Sequence, residues 1–484
     1  MAGIGFELKK LFKQQGILRL MRAYGYTGLV TAGPMLLGVF FLMGIGFIAQ
    51  YFGLDAHQRE LLNAMITYAL LASLVLTGYV SLTLSRYVSD MLYTKQEKRV
   101  MPSLKGALAL LLPLGAVLYG AFLCMAGISS GEVLLNFLFF MELVVVWTEM
   151  HYMTAIKDYK GILLSYLLAI GLSFLAATLG CRLFGARLEV LLLSVILGYG
   201  VMLILNYLLL NAYFPQGSGY YFEFLDWMEQ YRWLGLTGFA LNIGLFSHLV
   251  IAWCRADIGE QIQGLFYGAP QHDVAALYAF LTILVTTINF VASVEVNFYP
   301  KYRAYYDLFN GRGSITEIRL AEQEMMYVME RELAYTAKRQ LYTTALAISI
   351  GTLILHALPL GFDALMDGYF RILCVGYGLY AVGNVLMLML LYFTDYPGAG
   401  IASISYAVVT TLGSLLALRL PAKYVGFAFA IGGMVYFAVS WVRLNAYTRR
   451  LPYHILSTQP FVVERKHGFF TWLHERLEVL CEIS

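Results

Sequence analysis

The sequence predicts an all-α integral membrane protein of about twelve transmembrane helices, built as two pseudo-repeated six-helix bundles with both termini in the cytoplasm. Three observations predict it. The 484 residues are 60% hydrophobic and only 13% charged, with a mean hydropathy of +0.69; soluble domains average about 45–50% apolar and 25% charged. The apolar residues gather into twelve runs, each long enough for the ~20 residues that a helix needs to cross a bilayer core. The 33 Lys and Arg divide unevenly between the two sides that alternating spans create. With the N-terminus inside, 26 fall on the inner side and seven on the outer, the bias expected of cytoplasmic loops.

In chain order, residues 1–25 form a basic amphipathic segment, with Phe6, Leu8, Leu11 and Phe12 beside Lys9, Lys10 and Lys13. It either lies on the inner leaflet or docks a partner. The first apolar run, 26–50, is too long for a signal-peptide core of about 7–15 residues, so it is a span. Pro34 interrupts it; a proline removes a backbone hydrogen bond and marks a bend or hinge. Further spans are expected near 62–84, 106–127, 132–154, 161–180 and 189–212, completing a first bundle over 26–212. A polar cytoplasmic linker, 213–231, follows. The second bundle, 232–447, has spans near 233–253, 275–297, 341–361, 370–394, 398–418 and 424–444. It includes a cytoplasmic helical insertion, 301–340, opened by a capping box at Ser314 and Glu317. The tail, 448–484, repeats Phe469, Leu473, Leu477 and Leu480 at helical spacing. Each span is taken as helical because lipid offers the backbone no other hydrogen-bond partner.

The two bundles echo each other. Arg86 and Asp90 follow the second span of the first set; Arg303 and Asp307 follow the second span of the second. Both pairs stand at i and i+4, on one helix face. Coincidence and duplication of a six-helix unit both account for this. Duplicated units are common in transporters.

The chemistry is spare. Five cysteines form no C-x-x-C pair, and no phosphate-binding glycine loop appears, so neither a cofactor nor a metal site is expected. The loops leave no room for a catalytic domain, so an enzyme is not expected. Ionisable residues inside the spans are the sharpest lead, because they are costly in lipid and usually line a cavity. Glu142 is mid-span, and Glu149 lies two turns on along the same face. Asn242, Asn289 and Asn384 are near the middles of theirs. These five are the candidates for a hydrophilic pathway; the asparagines serve equally well as hydrogen-bonded glue between helices. Arg22, Arg86, Asp90, Glu295, Arg303 and Asp307 are the candidates for its cytoplasmic mouth. Aromatics make up 15% of the chain, which suits sugar stacking but also membrane-interface belts and helix packing.

Several stretches resemble the PelG family. They are MAGIGFELKKL at the start, AYGYTGLVTAGP at 23–34, GLFYGAPQHDVA at 264–275, AFLTIL at 279–284 and EVNFYPKYRAYY at 295–306. The resemblance implies a flippase-like polysaccharide transporter of the multidrug/oligosaccharidyl-lipid/polysaccharide superfamily. It further implies a bacterial inner-membrane location, a Pel-type cargo rich in N-acetylhexosamines, a PelF-like cytoplasmic glycosyltransferase as partner, and PelD- and PelE-like membrane partners. Three other functions stand beside export of such a polymer through a cavity between the two halves. They are an ion-coupled drug or lipid-linked-oligosaccharide exporter, a scaffold for the synthase, and a sugar-modifying enzyme using His151, His248 or His356. The histidines form no motif.

Overall fold

A computed structural model describes residues 33–153, 156, 159–311, 313–357, 362–457 and 467–483. Arg22 and the N-terminal segment fall outside these. The described residues are helical almost throughout. The first six helices are α1 Gly33–Tyr51, α2 Ala56–Tyr93, α3 Val100–Met125, α4 Ser130–Met153, α5 Tyr159–Phe184 and α6 Leu188–Tyr213. A short helix, α7 Phe224–Gln230, leads to α8 Arg232–Trp253. A hairpin of β1 Glu260–Gln263 and β2 Phe266–Gly268 follows. Then come α9 Pro270–Phe280, α10 Leu284–Ser293, α11 Tyr299–Phe309, α12 Ile315–Leu346 and α13 Thr352–Ala357. The chain closes with α14 Ala364–Tyr392, α15 Tyr396–Ala417, α16 Phe427–Thr448, α17 Leu451–Ser457 and α18 Phe469–Ile483.

Among the described residues, eleven helical stretches have the length and apolarity to cross a membrane. Helix α1 belongs to the remaining predicted span, whose earlier part lies outside the description; Pro34 stands at that edge. The helices form two lobes because two separate sets of side chains are buried. One core, from the first half, centres on Leu84, Tyr87, Phe139, Phe140, Leu143 and Leu191. The other, from the second half, centres on Tyr369, Leu373, Leu390, Tyr406, Phe429 and Tyr436. Many of the largest exposed side chains, such as Phe47, Val117, Leu164 and Leu416, are apolar, as expected where lipid rather than water is the neighbour.

Three stretches differ from the sequence expectation. The polar 213–231 connection contains a helix, α7, because Phe224, Leu225 and Met228 recur at helical spacing and are buried. The 301–340 region is continuous with the spans on either side: one helical run covers 270–309 and another 315–357. No glycine or proline lies between Ile315 and Leu346, so nothing stops the helix at the membrane edge. The regular helix instead breaks within the spans. Residues 294–298 form a π turn, closed by the Tyr299 amide donating to the Val294 carbonyl. Pro300 follows and has no N–H to give, which removes one competing α-type bond. A second π turn occupies 347–351. The β-hairpin was not expected at all.

Candidate functional site

The lobes meet where α2 lies against α8. Glycine makes the approach possible: a methyl group on Gly238 would strike the Gly78 carbonyl oxygen, and one on Gly78 would strike the Asn242 amide. Asn242 Nδ2 reaches across the crossing to the Leu74 carbonyl at 3.0 Å. Small residues and one interhelical hydrogen bond are what holds helices together in lipid.

At one end of this seam the polar and aromatic side chains of both lobes converge. Arg86 Nε pairs with Asp90 Oδ2 at 3.0 Å. The same carboxylate oxygen accepts from Trp227 Nε1 of α7 at 2.9 Å. The Arg86 guanidinium lies over the Tyr231 ring, 5.7 Å from its centre. Tyr231 meets Tyr396 edge-on at 5.3 Å, and both Tyr302 and Tyr396 lie close enough to feel the charge of Arg86. Tyr302 is ring to ring with Tyr306 at 4.4 Å, and its hydroxyl donates to the Tyr392 carbonyl. These tyrosines are half-buried. Arg86 is on the first lobe, and Tyr302 and Tyr396 are on the second, so the cluster spans the seam. Beside it lies an open groove of about 800 Å³ lined by Lys95, Lys98, Arg99, Gln216 and Tyr220. Arg99 pairs with Glu223 at 2.5 Å and stacks on Tyr220. The tail helix α18 returns to this end as well. Glu478 accepts from the Tyr221 and Phe222 amides, each at 3.2 Å. Phe470, Leu473 and Leu477 pack on the first core.

Of the residues singled out in the sequence, the structure brings together only Arg86 and Asp90 in this cluster, with Asn242 further along the seam. Arg303 and Asp307 form the matching i, i+4 pair at 3.4 Å, but both are 69% exposed. Glu295 belongs by its backbone to the first π turn. The other candidates lie inside one lobe or the other. Glu142 faces Gly200 of α6 in the first lobe, and Glu149, also on α4, lies beside Asn206 of the same lobe. One carboxylate oxygen of each has no hydrogen-bond partner. Asn289 joins α10 to α12 through Thr336 and Arg339, at 2.9 and 2.8 Å. Asn384 accepts from the Tyr436 hydroxyl. His248 packs in the second lobe against Phe429, 4.3 Å between centres. Trp227, Tyr231, Tyr302 and Tyr396 escaped the sequence reading. Their one signal, the aromatic excess, is shared with every ring that packs or faces lipid.

The comparisons with known proteins agree with one another. Residues 1–456 match a protein-family model, PelG, described as "Putative exopolysaccharide Exporter (EPS-E)"; the match ends before α18. A search of curated proteins finds no match. Among solved structures the chain is similar to a MATE transporter crystallised in its bent conformation. There the TM-score is 0.60 at 13% identity, over 93% of this chain and 98% of that one. It is also similar to a MOP-superfamily transporter from Pyrococcus furiosus, whose description reports a binding pocket of reversed polarity. That match has a TM-score of 0.57 at 12% identity, over 88% and 96%. An inward-facing multidrug resistance MATE transporter matches with a TM-score of 0.56 at 13% identity, over 87% and 96%. At such identities the likeness is one of fold.

Proposed function

The chain belongs to the PelG family, and on that premise we propose that it moves a Pel-type exopolysaccharide, rich in N-acetylhexosamines, outward across the bacterial inner membrane. Family and fold make it a multi-pass membrane transporter. The observation that carries the finer reading is the cluster of Arg86, Asp90, Tyr231, Tyr302 and Tyr396 at the end of the interlobe seam. Tyrosine offers a flat apolar face that covers the C–H face of a pyranose, and a hydroxyl that replaces water around its rim. Arg86 and Asp90 present a donor and an acceptor side by side, the pair that an N-acetyl group and ring hydroxyls call for. A set of half-buried rings grips each passing sugar weakly, so the chain slides rather than sticks. In this reading the basic end of the bundle faces the cytoplasm, as the Lys and Arg bias favours. A PelF-like synthase delivers polymer there, with PelD- and PelE-like proteins alongside.

The test is reconstitution. Vesicles carrying this protein and the partner synthase, given labelled sugar nucleotide on the basic side, are expected to deposit labelled polymer on the other side. Tyr302→Ala with Tyr396→Ala is expected to stop transfer while synthesis in the partner continues. Transfer at the normal rate by that double variant would remove the cluster from the pathway.

A further inference from the structure

The far end of the seam is closed by the β-hairpin, and its construction is lopsided. Its base is fixed to the second lobe. Trp253 Nε1 and the Ala269 amide both donate to Asp273 Oδ2, at 2.8 and 3.0 Å. Arg255, nearly buried, holds Asp257 and reaches the Ala417 and Leu420 carbonyls at 2.6 and 3.0 Å. Its tip is seated on the first lobe. Phe266 is fully buried in the first core, 5.0 Å from Tyr68 and 5.6 Å from Phe122, ring to ring. The Leu265 amide donates to the Ala126 carbonyl at 3.0 Å. Tyr68 both accepts from the Tyr267 amide and donates to the Tyr267 carbonyl, each at 3.1 Å. His57 Nε2 meets the Ile262 carbonyl at 2.9 Å. Even the glycines follow this contact. Gly264 has φ +56°, and a side chain there would run into the Ala126 carbonyl; Gly127, φ +70°, is the residue facing it.

We propose that the Glu260–Gly268 hairpin is a gate at the end of the passage opposite the Arg86 cluster, an arm that rides on the second lobe and must lift its Phe266 tip out of the first for cargo to leave. The two anchorages differ in kind. The base is held by charge-assisted hydrogen bonds, including a buried arginine, which are about twice as strong as neutral ones. The first lobe holds the tip through the Phe266 ring, through Ile262 packed on the first core and through a few hydrogen bonds, with Trp253 at the base stacked on Tyr68 at 4.7 Å, but by no ion pair among the described residues. The strands are only four and three residues long, with a register shift between Gln261 and Gln263, so the hairpin has little stability of its own once the tip is free. When two rigid lobes separate at this end, the weaker anchorage yields first. Packed interfaces of this kind have two discrete arrangements rather than a continuum.

This inference rests on the export reading, and the experiment separates the two. In a variant with the five natural cysteines replaced by serine, His57→Cys and Ile262→Cys place one thiol on each lobe. Spin labels at these two sites, read by pulsed dipolar spectroscopy on the protein alone in nanodiscs, are expected to show a short and a long distance. Tyr68→Phe, which strips two hydrogen bonds from the tip and keeps the ring, is expected to shift the distribution toward the long one. Linking the two thiols with a short bis-methanethiosulfonate is expected to abolish polymer secretion by cells, and reduction to restore it. A single short distance that Tyr68→Phe leaves unmoved overturns the gate, as does undiminished secretion by the linked protein. Should the unlinked protein itself move no polymer in vesicles with its synthase, the export reading fails, while the distance measurement still decides whether the hairpin moves.

Discussion

Arg86 and Asp90 are 39% and 25% exposed, and that decides what the pair is for. An ion pair this open contributes roughly 0.5 kcal/mol to stability, too little to explain a role in holding the fold. Arg86→Ala is therefore expected to leave the amount of membrane-inserted protein unchanged and to cut polymer transfer sharply, measured in the reconstituted vesicles; a fall in both together would make Arg86 structural. Glu142 is the opposite case. It is only partly exposed within the first lobe, and its Oε2 is buried with no partner, which costs about 1–3 kcal/mol. Replacing it with an apolar residue of similar length, Glu142→Met, is expected to raise the melting temperature of the purified protein. If transfer is lost at the same time, the carboxylate is kept for function at the expense of stability; if transfer persists, it is no pathway residue. At this scale the sequence showed the i, i+4 pairs plainly, since spacing alone brings Arg86 to Asp90 and Arg303 to Asp307. It did not separate Tyr231, Tyr302 and Tyr396 from the other tyrosines, because no local pattern distinguishes a ring facing a seam from one facing lipid.

Among the elements, the spans were legible because crossing lipid demands length and apolarity together, and few other segments satisfy both. The capping box at Ser314 and Glu317 also formed as the spacing predicts. The hairpin was illegible for a physical reason: its strands are held by Tyr68, Ala126 and His57 of the other lobe, more than a hundred residues away. The tail was half legible. Its amphipathic spacing predicts helix α18, but not that His474 would pair with Asp226 of α7 at 3.0 Å. That hydrogen bond, with Glu478 and Glu223 nearby, raises the histidine above its ordinary value of 6.5, against the opposing effect of burial. The docked helix thus holds its proton to a higher pH than the released one. Docking is strongest below about pH 6.5, where His474 is charged in both states, and weakens as the pH rises through the raised value. Protection of residues 469–483 against hydrogen exchange, taken relative to the intrinsic rate at each pH, is expected to fall between those two points, and His474→Gln to abolish that fall. Protection independent of pH in the unaltered protein would show that the packing of Phe470, Leu473 and Leu477 alone holds the tail.

For the whole molecule, twelve apolar runs and the charge asymmetry were enough to predict two sextets, but not how they face each other. A helix surface that meets lipid and one that meets another helix are both apolar, so hydropathy carries no sign of the seam. Glycine does carry one, in retrospect: α2 and α8 cross where Gly78 opposes Gly238, and no larger residue fits. A crossing this close, formed by backbone contact and the one Asn242 side chain, would let two lobes pivot with little repacking. Gly238→Ala forces a methyl against the Gly78 carbonyl and the Ser81 hydroxyl, a strain of about 1–3 kcal/mol typical of overpacking. The lobes relieve it by moving apart at the crossing, so the variant is expected to melt earlier and to transfer polymer slowly. Gly171→Ala on α5 is the control. Nothing lies within 4 Å of a methyl group there, and alanine is the better helix former by roughly 0.5–1 kcal/mol, so it is expected to melt no earlier and to transfer normally. If the two variants instead behave alike in melting and in transfer, the lobes do not turn about this crossing, and the seam is a fixed joint.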